Sequence, residues 1–161
     1  MTGIGWWRNS RGEYYVAVQM ILILAILIGP RFGAGAWSPP WSGITAAIGG
    51  PIGGAGLVLC IAGTLRLGRR NLSPFPRPRP GAVFVEDGVY AVVRHPIYGG
   101  LSLAALGWAL AWRSPVTAGL SILLFLFFDI KSRREERWLR QTFPQYAVYA
   151  HRVKKLIPLV Y

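Results

Sequence analysis

Two clusters in this sequence hold most of its reactive side chains. The first lies within Gly88 to Gly100 and contains Arg94-His95-Pro96-Ile97-Tyr98, where a basic polar segment meets an uncharged run. The second is Lys131 with Arg133-Arg134-Glu135-Glu136-Arg137, reached after a single apolar hairpin. Pro96 suits the first turn of a helix, where its missing N–H costs nothing, so Arg94 and His95 stand at a helix N-terminus. Such an end presents unpaired N–H groups and a positive partial charge, which suit a carboxylate or the acceptor atoms of an adenine or ribose. Glu135 and Glu136 point about 100° apart on a helix, so only one of them faces a given pocket. Lys131 precedes Glu135 by one turn, the spacing of an ion pair worth ~0.2–0.5 kcal/mol on an open face. The plainer readings, a structural interfacial histidine and a solvated helix face, stay open at this point. Ionisable groups at a membrane edge are costly to keep, and the two clusters read as opposite walls of one pocket.

The elements that position them are set by the distribution of apolar residues. Of 161 residues, 53% are hydrophobic and 15% charged, a composition too apolar and too clustered for an ordinary soluble domain. Four apolar runs, at residues 14–30, 44–65, 96–112 and 115–130, read as membrane spans of one all-α domain. Trp6, Trp7 and Tyr14 suit the interface before the first run. Its tyrosines and glutamine argue for a retained helix over a cleaved leader ending at Ala34-Gly35-Ala36. The second run carries Gly49, Gly50, Pro51, Gly53 and Gly54, a small-residue spacing that lets membrane helices approach closely. It also leaves open a homodimer face or a kink at Pro51. Residues 66–95 form a loop whose first part alternates Pro74, Pro76, Pro78 and Pro80 with Phe75, Arg77 and Arg79, an extended polyproline-like arm. Ala82-Val83-Phe84-Val85 comes next as a short extended run. Arg113-Ser114-Pro115 breaks the hairpin, and residues 131–161 read as amphipathic helices, with a Tyr146, Tyr149, Val153 stripe suited to the membrane edge.

The net charge of +12 raises nucleic acid as a partner, but the positions of the charges favour the membrane. With both termini and the long second loop on one side, sixteen of the eighteen Lys and Arg residues share that side, leaving only Arg31 and Arg113 opposite. The positive-inside rule therefore places the termini and both reactive clusters in the cytoplasm, with the basic faces meeting anionic membrane lipids. No nucleic-acid reading motif accompanies the charge. One cysteine, Cys60, excludes an intrachain disulfide, and His95 and His151 lack the partners of a metal site.

Two spaced motifs carry a resemblance. Gly88-Val-Tyr90-x-x-x-Arg94-His95-Pro96-x-Tyr98-x-Gly100 and Glu135-Glu136-x-x-Leu139-x-x-x-Phe143-x-x-Tyr146-x-x-Tyr149 flank the helical hairpin. In this order they resemble the isoprenylcysteine carboxyl methyltransferases, integral membrane enzymes dependent on S-adenosyl-L-methionine, and more loosely the related phospholipid methyltransferases. The resemblance covers roughly Val83 to Pro158. It implies a pocket at the cytoplasmic face for S-adenosyl-L-methionine, which leaves as S-adenosyl-L-homocysteine. By position, Ala82, Val83, Phe84, Val85, Tyr90, Arg94, His95, Pro96, Ile97 and Tyr98 would line it, with Glu135 and Glu136 at its amino or ribose end. An arginine of the eukaryotic enzymes that engages the acceptor carboxylate falls at Lys131 here, which keeps the charge but not the bidentate fork, with Arg134 as its stand-in. The implied acceptor is a lipophilic small molecule or a lipid-modified chain, with carboxylate or thiolate favoured. Methylation of a phospholipid amine is the alternative within enzymes, and a sterol reductase using NADPH asks for a larger body. A non-catalytic lipid-binding scaffold is the alternative outside them.

Overall fold

The computed structural model describes residues 12–161, so Trp6, Trp7, Arg8 and Arg11 lie outside the described residues. Five α-helices succeed one another: α1 (Glu13–Ile28), α2 (Trp41–Asn71), α3 (Pro96–Ala111), α4 (Pro115–Thr142) and α5 (Tyr146–Arg152). Among the described residues there is no named strand, and one isolated parallel bridge joins Val93 to Lys154. Three stretches, Glu13–Phe32, Trp41–Asn71 and Pro115–Thr142, are long and apolar enough to cross a membrane. The 16 residues of α3 reach only ~24 Å, short of the ~30 Å of hydrocarbon, so the third expected span is a shorter apolar helix.

The protein is an all-α integral membrane protein that turns much of its apolar surface outward. Ile21, Leu24, Leu57, Val58, Ile61, Ile122 and Leu126 are exposed, as befits a fold whose solvent is lipid and whose backbone groups are satisfied within helices. A small core of Leu22, Ile26, Ala105, Leu124 and Phe128 joins α1, α3 and α4.

Glycine sets the contact between α2 and α3. A Cβ at Gly49 or Gly56 would overlap the backbone of Ala111 or Ala104, and one at Gly107 would overlap Gly53. Gly49 and Gly53 thus face α3 with Gly56, while Gly50 and Gly54 have open space around them. The two helices meet backbone to backbone, the arrangement small residues permit in lipid. Pro51 sits inside α2 without a non-helical dihedral; the break comes at Gly68, where φ is 69° and ψ 166°. The helix continues to Asn71, so Arg66, Arg69 and Arg70 belong to its last turns and the irregular arm begins only at Leu72. Basic residues at that end are favoured by the helix dipole.

Ser114 Oγ accepts a hydrogen bond from the Thr117 N–H at 3.3 Å and caps α4. From there α4 runs unbroken through the change from apolar to charged sequence, so the fourth span and the amphipathic stretch after it are one helix of 28 residues. No glycine or proline interrupts residues 120–142, and Phe143 before Pro144 ends the helix. The chain then folds back. The N–H groups of Arg94 and His95 donate to the carbonyls of Lys154 and Lys155 at 2.8 and 3.0 Å, and Leu156 is fully buried beside Gly99. Lys155 Nζ donates to Asp129 Oδ1 at 2.5 Å, which fastens this tail to α4.

Candidate active site

At one end of the bundle a cavity of about 390 Å³ lies between the arm, the start of α3, the polar half of α4 and α5. Tyr90 sits in a 3-10 turn, Gly88–Ala91, whose backbone oxygen at Tyr90 accepts from Tyr149 Oη at 2.6 Å. Tyr90 Oη in turn donates to the Gly63 carbonyl at 3.3 Å. Burial above all pushes the hydroxyls of Tyr90, Tyr146 and Tyr149 well above the usual tyrosine range, so they stay protonated donors.

The first turn of α3 and the polar half of α4 meet through two carboxylates with different surroundings. Tyr98 Oη donates to Glu135 Oε2 at 2.7 Å, and the Tyr98 ring is stacked between His95 and Phe128 at 5.5 and 4.7 Å. One position on, Glu136 Oε1 accepts from Arg94 Nε at 2.9 Å and lies 3.2 Å from His95 Nε2. Arg94 also donates to the carbonyls of Ala150 and Val153 at 2.7 and 2.5 Å, closing the C-terminal end of α5. A buried guanidinium shared between a carboxylate and the unpaired carbonyls of a helix end is well satisfied and holds three elements in register.

Lys131 is almost fully buried and has partners that its sequence neighbours do not reveal. Its Nζ donates to Gln19 Oε1 in α1 at 2.5 Å and to the Pro74 carbonyl in the arm at 3.1 Å, and lies 5.0 Å from the Tyr98 ring centroid. The arm is held further where Asn71 Oδ1 accepts from the Val83 N–H at 2.8 Å and Arg70 Nε donates to the Gly81 carbonyl at 3.0 Å. On the opposite wall Phe84 stands edge-on to Tyr149 and Tyr146, with centroids 5.5 and 6.2 Å away.

The structure therefore brings Ala82, Val83, Phe84, Val85, Tyr90, Arg94, His95, Pro96, Ile97, Tyr98, Lys131 and Glu135 onto one cavity. Arg134 and Glu136 do not line it. The Arg134 guanidinium lies over the rings of Tyr15 and Trp138 at 5.6 and 5.2 Å, and Glu136 stands behind Arg94 and His95. Sequence reasoning missed Gln19, Pro74, Phe143, Tyr146 and Tyr149 as lining residues. The tyrosine stripe expected at the membrane edge faces inward, with Tyr146 and Tyr149 each 2% exposed. Its spacing was a signal, since a stripe of rings serves a lipid surface or a pocket wall equally well.

The comparisons with known proteins bear on this arrangement. The model of the phospholipid methyltransferase family matches residues 45–146, well over half of the chain. The chain belongs to the phospholipid methyltransferase family. The chain is also 35% identical over 78 residues to protein-S-isoprenylcysteine O-methyltransferase B of Arabidopsis thaliana, covering 47% of this chain and 40% of that protein. It is 38% identical over 80 residues to protein-S-isoprenylcysteine O-methyltransferase of Schizosaccharomyces pombe, covering 48% of this chain and 34% of that one. A longer match, 27% identical over 155 residues, is to the cobalt-zinc-cadmium resistance protein CzcN of Cupriavidus metallidurans, over 93% of this chain and 66% of that protein. The chain thus spans well under half the length of these two isoprenylcysteine methyltransferases. No solved structure matches it. The stretch that this phospholipid methyltransferase family shares holds α2, α3 and α4 with both reactive clusters, whereas α1 with Gln19 lies before it.

Proposed function

We propose that the protein is an S-adenosylmethionine-dependent membrane methyltransferase acting on a lipophilic or lipid-linked anionic acceptor, a carboxylate or thiolate in preference to an amine. The observation that carries this reading is on α4, where Lys131 and Glu135, opposite charges one turn apart, both line the same aromatic-walled cavity. Residues four apart on a helix are ~5–6 Å apart at Cβ, so one helix presents a cation and an anion to adjacent parts of one space.

The residues present fit the cofactor. Phe84, Tyr146 and Tyr149 offer ring faces and edges for an adenosyl group, and Glu135 offers a carboxylate for its ammonium. Tyr146 Oη is a buried hydroxyl with no hydrogen-bond partner among the described residues, a polar atom that a ligand's own oxygen or nitrogen would satisfy. Bound there, S-adenosylmethionine supplies a methyl group on a positively charged sulfur. The chain's own part is to align, to balance charge and to exclude water. Tyr98 holds Glu135 in one rotamer, and Tyr90 offers a ring suited to a cation. Lys131 ties the arm over the cavity through Pro74 and offsets the charge of an anionic acceptor. Such an acceptor is already a nucleophile, so this chemistry needs no general base.

The excess of basic residues at the end carrying the site supports a cytoplasmic active site, with anionic lipid as neighbour. A second reading, N-methylation of a phospholipid amine, is favoured by the description of the family. Lys131 counts against it, because a buried ammonium repels a cationic headgroup and an amine must first lose its proton. The test offers labelled S-adenosylmethionine and two acceptors in nanodiscs, an S-isoprenylated cysteine with a free carboxylate and a phosphatidylethanolamine. The expected result is base-labile label on the first. Label on the phospholipid amine would establish the second reading, and no transfer to either would leave a lipid-binding scaffold.

A further inference from the structure

Gln19 is the only polar residue in residues 16–28 of α1. A polar group at that depth is expensive unless it is paired within the bundle or lines a polar cavity, and such residues mark functional positions. Gln19 meets both conditions, since it lines the cavity and accepts from Lys131 Nζ at 2.5 Å. An ammonium only donates, so this contact fixes the carboxamide with its oxygen toward Lys131 and its NH₂ at the other end. That NH₂ has no hydrogen-bond partner among the described residues. Lys131 gives a second N–H to Pro74, and its third has no oxygen partner among the described residues.

This end of the cavity therefore carries the Lys131 ammonium and unused donors. The nearby cavity carboxylate, Glu135, is engaged by Tyr98. An oxyanion satisfies two donors and a positive charge together. We infer that Gln19 is the specificity-determining residue of the acceptor site, orienting the Lys131 ammonium and donating its own N–H to the acceptor's carboxylate. A methyl ester has lost the charge and half of the acceptor capacity, so the same pair that selects the acid releases the ester. The inference rests on the methyltransferase reading of this cavity. Gln19 lies outside the family-matched residues 45–146, so acceptor choice is set by a helix separate from the shared part.

The test titrates N-acetyl-S-farnesylcysteine and its methyl ester into the full chain in detergent, saturated with S-adenosylhomocysteine, for wild type, Gln19→Met and Gln19→Leu. Wild type should bind the acid at least about 10-fold tighter than the ester, the scale of a charged hydrogen bond. Both substitutions should weaken the acid by about 10-fold or more and leave the ester and S-adenosylhomocysteine within about 2-fold. Gln19→Met offers Lys131 a thioether acceptor without adding a charge or a donor, so a role limited to holding Lys131 would leave Gln19→Met binding the acid well above Gln19→Leu, and that result overturns the inference. So does a wild type that binds acid and ester alike, or neither. Failure of wild type to bind S-adenosylhomocysteine overturns the methyltransferase reading itself and the inference with it.

Discussion

Tyr98 Oη donates to Glu135 Oε2 across 2.7 Å, and this one bond joins the first turn of α3 to α4 beyond its apolar stretch. It matters because every other feature of the site is arranged about it. His95 and Phe128 hold the Tyr98 ring by stacking, Lys131 lies near that ring, and Glu136 stands one residue on with Arg94.

The Arg94–Glu136 pair is buried on both sides, with side chains 12% and 11% exposed. Arg94→Met leaves Glu136 with a much poorer partner and opens the end of α5, so it should destabilise by about 3–5 kcal/mol. Replacing both residues by Met should recover part of that loss. Thermal unfolding in detergent measures both variants.

The α2–α3 contact predicts a contrast between neighbouring glycines. Gly107→Ala puts a methyl group into the backbone of α2 and should cost about 1–3 kcal/mol or more. Gly50→Ala enters open space and should stay within about 0.5 kcal/mol of wild type. The same unfolding assay reads the difference.

Lys131→Met removes both bonds that join the arm to α1 and α4. The arm should then open more often, seen as faster hydrogen exchange at Phe75 and Val83, with α2 and α3 unchanged. Equal exchange in wild type and variant would mean that the prolines and the bonds to Asn71 and Arg70 suffice to hold the arm.

Much of the fold could be read from the sequence because its signals are local. Uncharged runs located the helices, Pro96 marked the start of α3, and Ser114-Pro115 marked the turn into α4. The positions around Arg94 and Glu135 were found because a spaced motif survives in one dimension. The features that could not be read depend on three-dimensional neighbours. The choice of Gly49 and Gly53 over Gly50 and Gly54 is dictated by where α3 lies. The change from apolar to charged residues at Asp129 suggested a boundary that the backbone ignores, since nothing there breaks a helix. Lys131 was paired in sequence with Glu135, yet its partners are Gln19 and Pro74, 112 and 57 positions away. Gln19 looked like an impurity in an apolar run until α4 was placed beside it.

The central claim is that the cavity beside Tyr98 and Glu135 holds the methyl donor. Calorimetric titration of S-adenosylhomocysteine into the purified protein, beside Glu135→Ala and Tyr98→Ala, tests it most directly. Saturable one-site binding is expected, weakened about 10–100-fold by Glu135→Ala, the scale of a hydrogen bond to a charged group, with Tyr98→Ala also weaker. No binding by the folded protein at millimolar ligand, in detergent and in nanodiscs, would contradict it, as would affinities that neither substitution changes.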